Sequence, residues 1–354
     1  MKKYILSIFL FGIMSSAFSL PPLVTRESFD VNDIEDLAIN LSWENLELEE
    51  GSLADSIQVE IYCNKNEIAP QISTRGSKLI VKSKKNAGGI FNKRSCTVIL
   101  KVPSSYAFST LALGTTSGHI SSKTILKADI LAVDSTSGSL SFTLPAYAER
   151  ASFNATSASI FVDGLYGKKL AINSTSGSIN VNQFDGNSCT INATSGSVKL
   201  TGLFTKEAYI NTTSGTISIA GSVTDSLKID ATSGTIGLEL ETVPSDNTLV
   251  TTTSGTIFAA FPANADYSVM ITTNSGPFVN TITGEATGSH ARYKANINAG
   301  GPFVMLTSNS GRITLDSTDG ITGKTAKSIT DKEEAPASSA SNIPVVSFDD
   351  PIFE

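Results

Sequence analysis

Ile191-Asn192-Ala193-Thr194-Ser195-Gly196-Ser197-Val198 is followed nineteen residues later by Ile210-Asn211-Thr212-Thr213-Ser214-Gly215-Thr216-Ile217, and preceded at the same distance by Ile172-Asn173-Ser174-Thr175-Ser176-Gly177-Ser178-Ile179. Outward from these three, the glycine or its substitute recurs at Gly118, Gly138, Ala158, Gly177, Gly196, Gly215, Gly234, Gly255 and Gly276, at intervals of 19 to 21 residues. A period near twenty marks a solenoid, in which one turn of chain cannot bury its own apolar face and must stack on the next.

Alignment on the glycine gives columns. Five residues before it stand Leu113, Val133, Phe153, Ile172, Ile191, Ile210, Ile229, Val250 and Ile271; two after it stand Ile120, Leu140, Ile160, Ile179, Val198, Ile217, Ile236, Ile257 and Phe278. Seven before it the column is mostly aliphatic, from Leu111 and Leu131 to Val269, and three before it the residue is always small. Apolar positions two apart share the face of a strand, not of a helix. Each coil therefore reads as a strand, a corner at Thr-Ser-Gly, a second strand and a looser turn marked by Pro145, Gly164, Gly202 or Pro262. The corner glycine is expected to supply a positive φ or a tight approach, although Ala158 stands there once. The fold class is all-β, a single-chain parallel β-solenoid of about 19–21-residue coils with an irregular N-terminal β cap.

Four residues before the glycine, Asp134, Asn154, Asn173, Asn192, Asn211 and Asp230 form an outward column. Stacked side-chain amides hydrogen-bond along an axis, so the column reads first as structural. The outward positions six before and three after the glycine vary freely.

The flanks divide the chain further. Lys2 and Lys3 precede an apolar run over residues 4–14 and the small residues Ala17 and Ser19, which reads as a signal peptide over residues 1–19. That run is too short to span a membrane, and no transmembrane segment is expected after it. Residues 20–110 are expected to form the N-terminal β cap region, 111–319 the solenoid repeats, 320–342 a disordered linker rich in Ser, Ala, Lys and Glu, and 343–354 an apolar C-terminal tail that caps or docks. The next match after Gly276 is Gly311, so the last interval carries an insertion, with an extra strand expected over residues 292–297.

Cys63 closes one apparent strand and Cys96 opens another, so a Cys63–Cys96 disulfide is expected in an exported protein, with Cys189 a small buried hydrophobe of the coil interior. Residues 27–67 hold twelve acidic side chains and one basic one, whereas residues 68–128 hold no acid. Arg75, Lys78, Lys82, Lys84, Lys85, Lys93 and Arg94 lie in that basic block, as do Lys101, Lys123 and Lys127. Such a block is a candidate binding patch for an anionic polymer or lipid. The alternative, which the overall net charge of −7 favours, is mutual neutralisation with the acidic segment as neighbouring strands.

An exported strand region followed by coils of the form Ile-x-Asn-x-Thr-Ser-Gly-x-Ile resembles the bacterial putative-adhesin family over roughly residues 30–318. The resemblance implies an exported β-solenoid domain of unknown molecular function, and it supplies no catalytic or binding residues.

Catalysis finds no foothold in the pattern. Asp134 and Asp230 share a column five coils apart, as do Asp129 and Asp225, so no paired carboxylates arise. Two histidines and no Cys/His cluster give no metal site, and no cofactor is expected. The reading is a non-enzymatic extracytoplasmic β-solenoid presenting a lateral surface for adhesion or envelope binding, in the periplasm, at the cell surface or secreted. Its expected partners are envelope polysaccharide, anionic lipid or a protein, and not nucleic acid. A glycan-acting β-helix enzyme and a purely structural envelope protein are the alternatives.

Overall fold

Period-two burial builds one wall after another. In the computed structural model, which describes residues 20–84 and 94–318, twenty-seven strands join into one continuous, mostly parallel hydrogen-bonded sheet that winds around an apolar interior. The expected signal peptide, linker and tail, together with Lys85 and Lys93 of the basic block, lie outside the described residues.

The column seven before the glycine runs in register from Leu131 through Ala151, Leu170, Cys189, Ala208 and Leu227 to Thr248. After the corner, Leu140, Ile160, Ile179, Val198, Ile217, Ile236 and Ile257 pair likewise. No member of either column is more than 4% exposed. The hydrophobic effect therefore acts between coils, with each apolar side chain covered by those above and below it.

The corner column has a steric cause that the sequence only hinted at. A Cβ on Gly138 would lie 1.6 Å from the carbonyl oxygen of Gly118, and one on Gly196 would lie 2.2 Å from that of Gly177. Each corner packs against the peptide of the corner beneath it, so the missing side chain matters even where φ is ordinary. Positive φ occurs in the central coils, at Gly177, Gly196, Gly215 and Gly234, but not at Gly118 or Gly138. Ala158 is buried without a positive φ.

At both ends the stack departs from sequence order. Asp36–Leu41 lies between Lys78–Lys82 and Phe108–Thr115, parallel to both, and Asn45–Glu50 lies between Cys96–Val102 and Ile120–Ser122. Part of the region expected as an irregular cap thus continues the parallel stack, with Glu44 standing where later coils have glycine. At the other end Phe303–Ser308 inserts between Asn247–Ser254 and Tyr267–Thr273. The Gly276 corner therefore packs on Gly311, and Gly311 packs on Gly255. The physical reason is edge pairing: an open parallel edge leaves a row of donors and acceptors unpaired. The chain folds back to supply partners, and both ends finish on antiparallel strands. These are Leu23–Asp30 on Ser56–Cys63 and Gln71–Arg75 on Lys78–Lys82 at one end, with Arg292–Ile297 on Tyr267–Thr273 at the other.

Cys63 and Cys96 face each other across antiparallel strands and are joined by a disulfide, while Cys189 is free and fully buried. Burial pushes the Cys189 thiol up to about 12. Thiol labelling of the native protein should find no reactive cysteine, and labelling after denaturation without reductant should find one; three labelled thiols would remove the disulfide.

Candidate binding surfaces

The interior holds aliphatic side chains and buried rings such as Phe142, Phe153 and Phe184, while most charged side chains and a few further aromatics stand outside. Of the basic block, Arg75 and Lys78 pair across the terminal hairpin and share its outward face with Lys82. A strand rises about 3.3 Å per residue, so Lys78 and Lys82 stand about 13 Å apart. Lys78 is in register with Asp36 of the next strand. Lys84 reaches the carbonyl oxygen of Asn66 at 3.5 Å, and the Arg94 guanidinium lies 5.8 Å from the centre of the Trp43 ring. The structure therefore gathers Arg75, Lys78 and Lys82 on one face and leaves Lys84 and Arg94 beyond that strand. Neutralisation by the acidic segment also occurs: Lys101 meets Glu60 at 3.0 Å and Lys123 meets Glu47 at 3.1 Å.

Glu60 is the most heavily committed charge. It is 1% exposed, yet its carboxylate receives Arg26 at 2.8 Å, Lys101 at 3.0 Å and the Tyr62 hydroxyl at 2.8 Å. Burial alone would raise its pKa, but the hydrogen bonds from Lys101 and Tyr62 and the charges of Lys101 and Arg26 outweigh burial and hold it below the usual carboxylate range. A carboxylate with a depressed folded pKa contributes stability above its unfolded pKa and loses it as pH falls through the folded value. Glu60→Gln should therefore cost about 2 kcal/mol at neutral pH, with the gap to the native chain closing as pH falls below about 4.5. Urea titrations at several pH values measure this, and a gap independent of pH would contradict the ion cluster.

The amide column is a hydrogen-bonded ladder. Asn154 donates to Asp134 at 2.7 Å, Asn173 to Asn154 at 2.9 Å and Asn192 to Asn173 at 3.1 Å. Burial pushes the Asp134 carboxyl up, against the hydrogen bond from Asn154. The side chains thus satisfy one another, which accounts for their recurrence without a ligand. Of the outward positions six before the glycine, Lys228 is exposed and lies 5.2 Å from the centre of the Tyr209 ring, whereas Ala132 is buried.

A second outward column was not singled out from the sequence. Lys127, Tyr147, Tyr166, Asp185, Phe204 and Ser222 lie in successive register, with Tyr147 43% and Phe204 38% exposed. The signal was present: Tyr147, Tyr166 and Phe204 each stand eleven residues before a corner residue. Among the described residues no group of three or more His, Cys, Asp or Glu side chains converges, and no helix is long and apolar enough to cross a membrane.

Two segments, residues 34–191 and 185–316, match the family described as Toastrack DUF4097. No curated protein matches the sequence. Among solved structures, a putative adhesin from Parabacteroides distasonis ATCC 8503 is 14% identical over 84% of this chain and 97% of its own, with a TM-score of 0.48. A putative adhesin from Parabacteroides merdae ATCC 43184 is 13% identical over 83% of this chain and 95% of its own, at 0.43. A putative lipid binding protein from Parabacteroides distasonis ATCC 8503 is 14% identical over 83% and 96%, at 0.40.

Proposed function

The chain belongs to the Toastrack DUF4097 family, and on that premise we propose that it works outside the cytoplasm as a non-catalytic rod whose lateral surface binds a component of the cell envelope. The observation that carries this reading is the division of labour between columns. Inward columns hold aliphatic, small and some aromatic side chains, Phe153 and Phe278 among them, all buried, while most charged side chains and the exposed Tyr147 and Phe204 stand on outward columns that run in register from coil to coil. Extended, regularly spaced surfaces of this kind are what solenoids use for binding. The Cys63–Cys96 disulfide fits an oxidising compartment, as does the apolar run at the N-terminus.

The antiparallel strands at the two ends act as caps that shield the open edges of the stack. The face of Arg75, Lys78 and Lys82 is a second contact for anionic polymer or lipid headgroup, and binding through it weakens as salt screens it. Cell fractionation combined with protease shaving of intact cells tests the location. The protein should leave the cytoplasmic fraction, and digestion in intact cells would place it at the surface. Retention in the cytoplasm would end this reading.

A further inference from the structure

Eleven residues before their corner residues, four successive coils place Tyr147, Tyr166, Asp185 and Phe204 side by side on the outside of the rod. Tyr147 stacks on Tyr166, with ring centres 5.1 Å apart and planes 19° from parallel. Tyr166 leans back over Gly164 and Phe204 over Gly202, each two residues earlier: a Cβ on those glycines would lie 3.3 Å from Tyr166 Cε2 and 3.8 Å from Phe204 Cε2. The two rings thus take the same lean two coils apart, a separation of about 9.6 Å at ordinary strand spacing. The coil between them presents exposed Asp185, with half-buried Gln183 in the place of the two glycines. Between the two rings the register thus places only the shorter Asp185 and Gln183 side chains, so the column dips there into a slot bounded by aromatic rings and bearing a carboxylate and an amide.

We propose that this slot binds one pyranose ring of an envelope glycan, an inference that rests on the lateral-surface reading and names its ligand class. Carbon atoms in contact sit about 3.5–4.0 Å apart, so a flat aromatic guest between two walls needs a spacing of only about 7 Å. A puckered saturated ring with hydrogens on both faces is thicker and fills the wider gap. Its polarised C–H groups meet the negative faces of Tyr166 and Phe204, and its hydroxyls, at the ring edge, donate to Asp185 or exchange hydrogen bonds with Gln183. An ammonium group would also suit aromatic walls and a carboxylate. Lys206, exposed and two residues beyond Phe204, puts like charge at the rim and favours the neutral ring, whereas Lys168 is ion-paired with Glu149.

Calorimetric titration of the secreted full chain with cellohexaose and with chitohexaose tests the proposal. At least one hexasaccharide should bind, and Phe204→Ala and Tyr166→Ala should each weaken it at least tenfold. Phe204→Ala should lower the melting temperature only slightly, because that side chain is 38% exposed and stands outside the coil interior. Absence of binding by both sugars at millimolar concentration, native-like affinity in Phe204→Ala, or displacement of the sugar by tetramethylammonium would overturn the pyranose slot. Sedimentation with isolated cell envelopes separates the two readings. If the native chain and Phe204→Ala sediment equally while no sugar binds, the slot fails and the lateral surface stands; if the native chain does not sediment, both fail.

Discussion

Ile210→Asp should lower stability by about 5 kcal/mol, the largest loss expected from any single outward-or-inward swap in the stack. Ile210 is fully buried, in register between Ile191 below and Ile229 above. An aspartate there places a carboxylate between two aliphatic side chains and separates the coils on either side. Because a solenoid's stability is a sum of neighbour interfaces, breaking one in mid-stack splits the array, and urea unfolding should show an earlier or a second transition. Asn192→Ser, on the amide ladder next door, removes a hydrogen bond to Asn173 and should cost about 1 kcal/mol. Equal shifts for the two would contradict this assignment of inner and outer faces.

Gly215→Ala should cost about 4 kcal/mol, although it adds one carbon atom. That carbon would lie 1.9 Å from the carbonyl oxygen of Gly196, which is backbone and cannot swing aside, and Gly215 has φ of 126°. Gly237→Ala is the control: its nearest atom would be the Ile217 oxygen at 3.8 Å, and its φ is not positive. It should shift stability by no more than about 0.5 kcal/mol. If the two variants melted alike, close stacking of the corners would not explain the glycine column.

The coil interior was legible because it obeys one rule repeated many times. Ile191, Ile210 and Val198 are apolar for the same reason, and the period between them is itself the architecture. The corner rule was legible as composition but not as cause, since no single coil reveals that its glycine touches the carbonyl of the next. The coil of residues 36–50 escaped notice because Trp43 and Glu44 replace Ser-Gly, although Ile39, Asn40 and Leu46 keep the repeat's spacing. Glu44 holds that corner differently: one carboxylate oxygen accepts the backbone N–H groups of Ser42 and Trp43 and the Ser83 hydroxyl.

The order of the last coils was not legible at all. Residues 303–317 carry the same local pattern wherever they insert, and only edge pairing with residues 247–261 on one side and 267–280 on the other decides their place. The aromatic column was hidden for a simpler reason: its residues, Tyr147, Tyr166 and Phe204, lie far from the corner and are interrupted by Asp185. A repeat scan rewards sameness, and this column departs from it at Asp185.

The lateral surface as the working part is tested most directly by sedimentation with isolated cell envelopes of the native protein and a triple variant, Tyr147→Glu, Phe204→Glu and Lys199→Glu, the last at the exposed outward position three after Gly196. All three side chains are exposed, so the variant should melt with the native chain. The account predicts saturable sedimentation of the native protein, loss of more than nine-tenths of it in the variant at equal melting temperature, and envelope polysaccharide of unchanged length. A variant that sediments like the native protein, or polysaccharide shortened on incubation with it, would contradict the account.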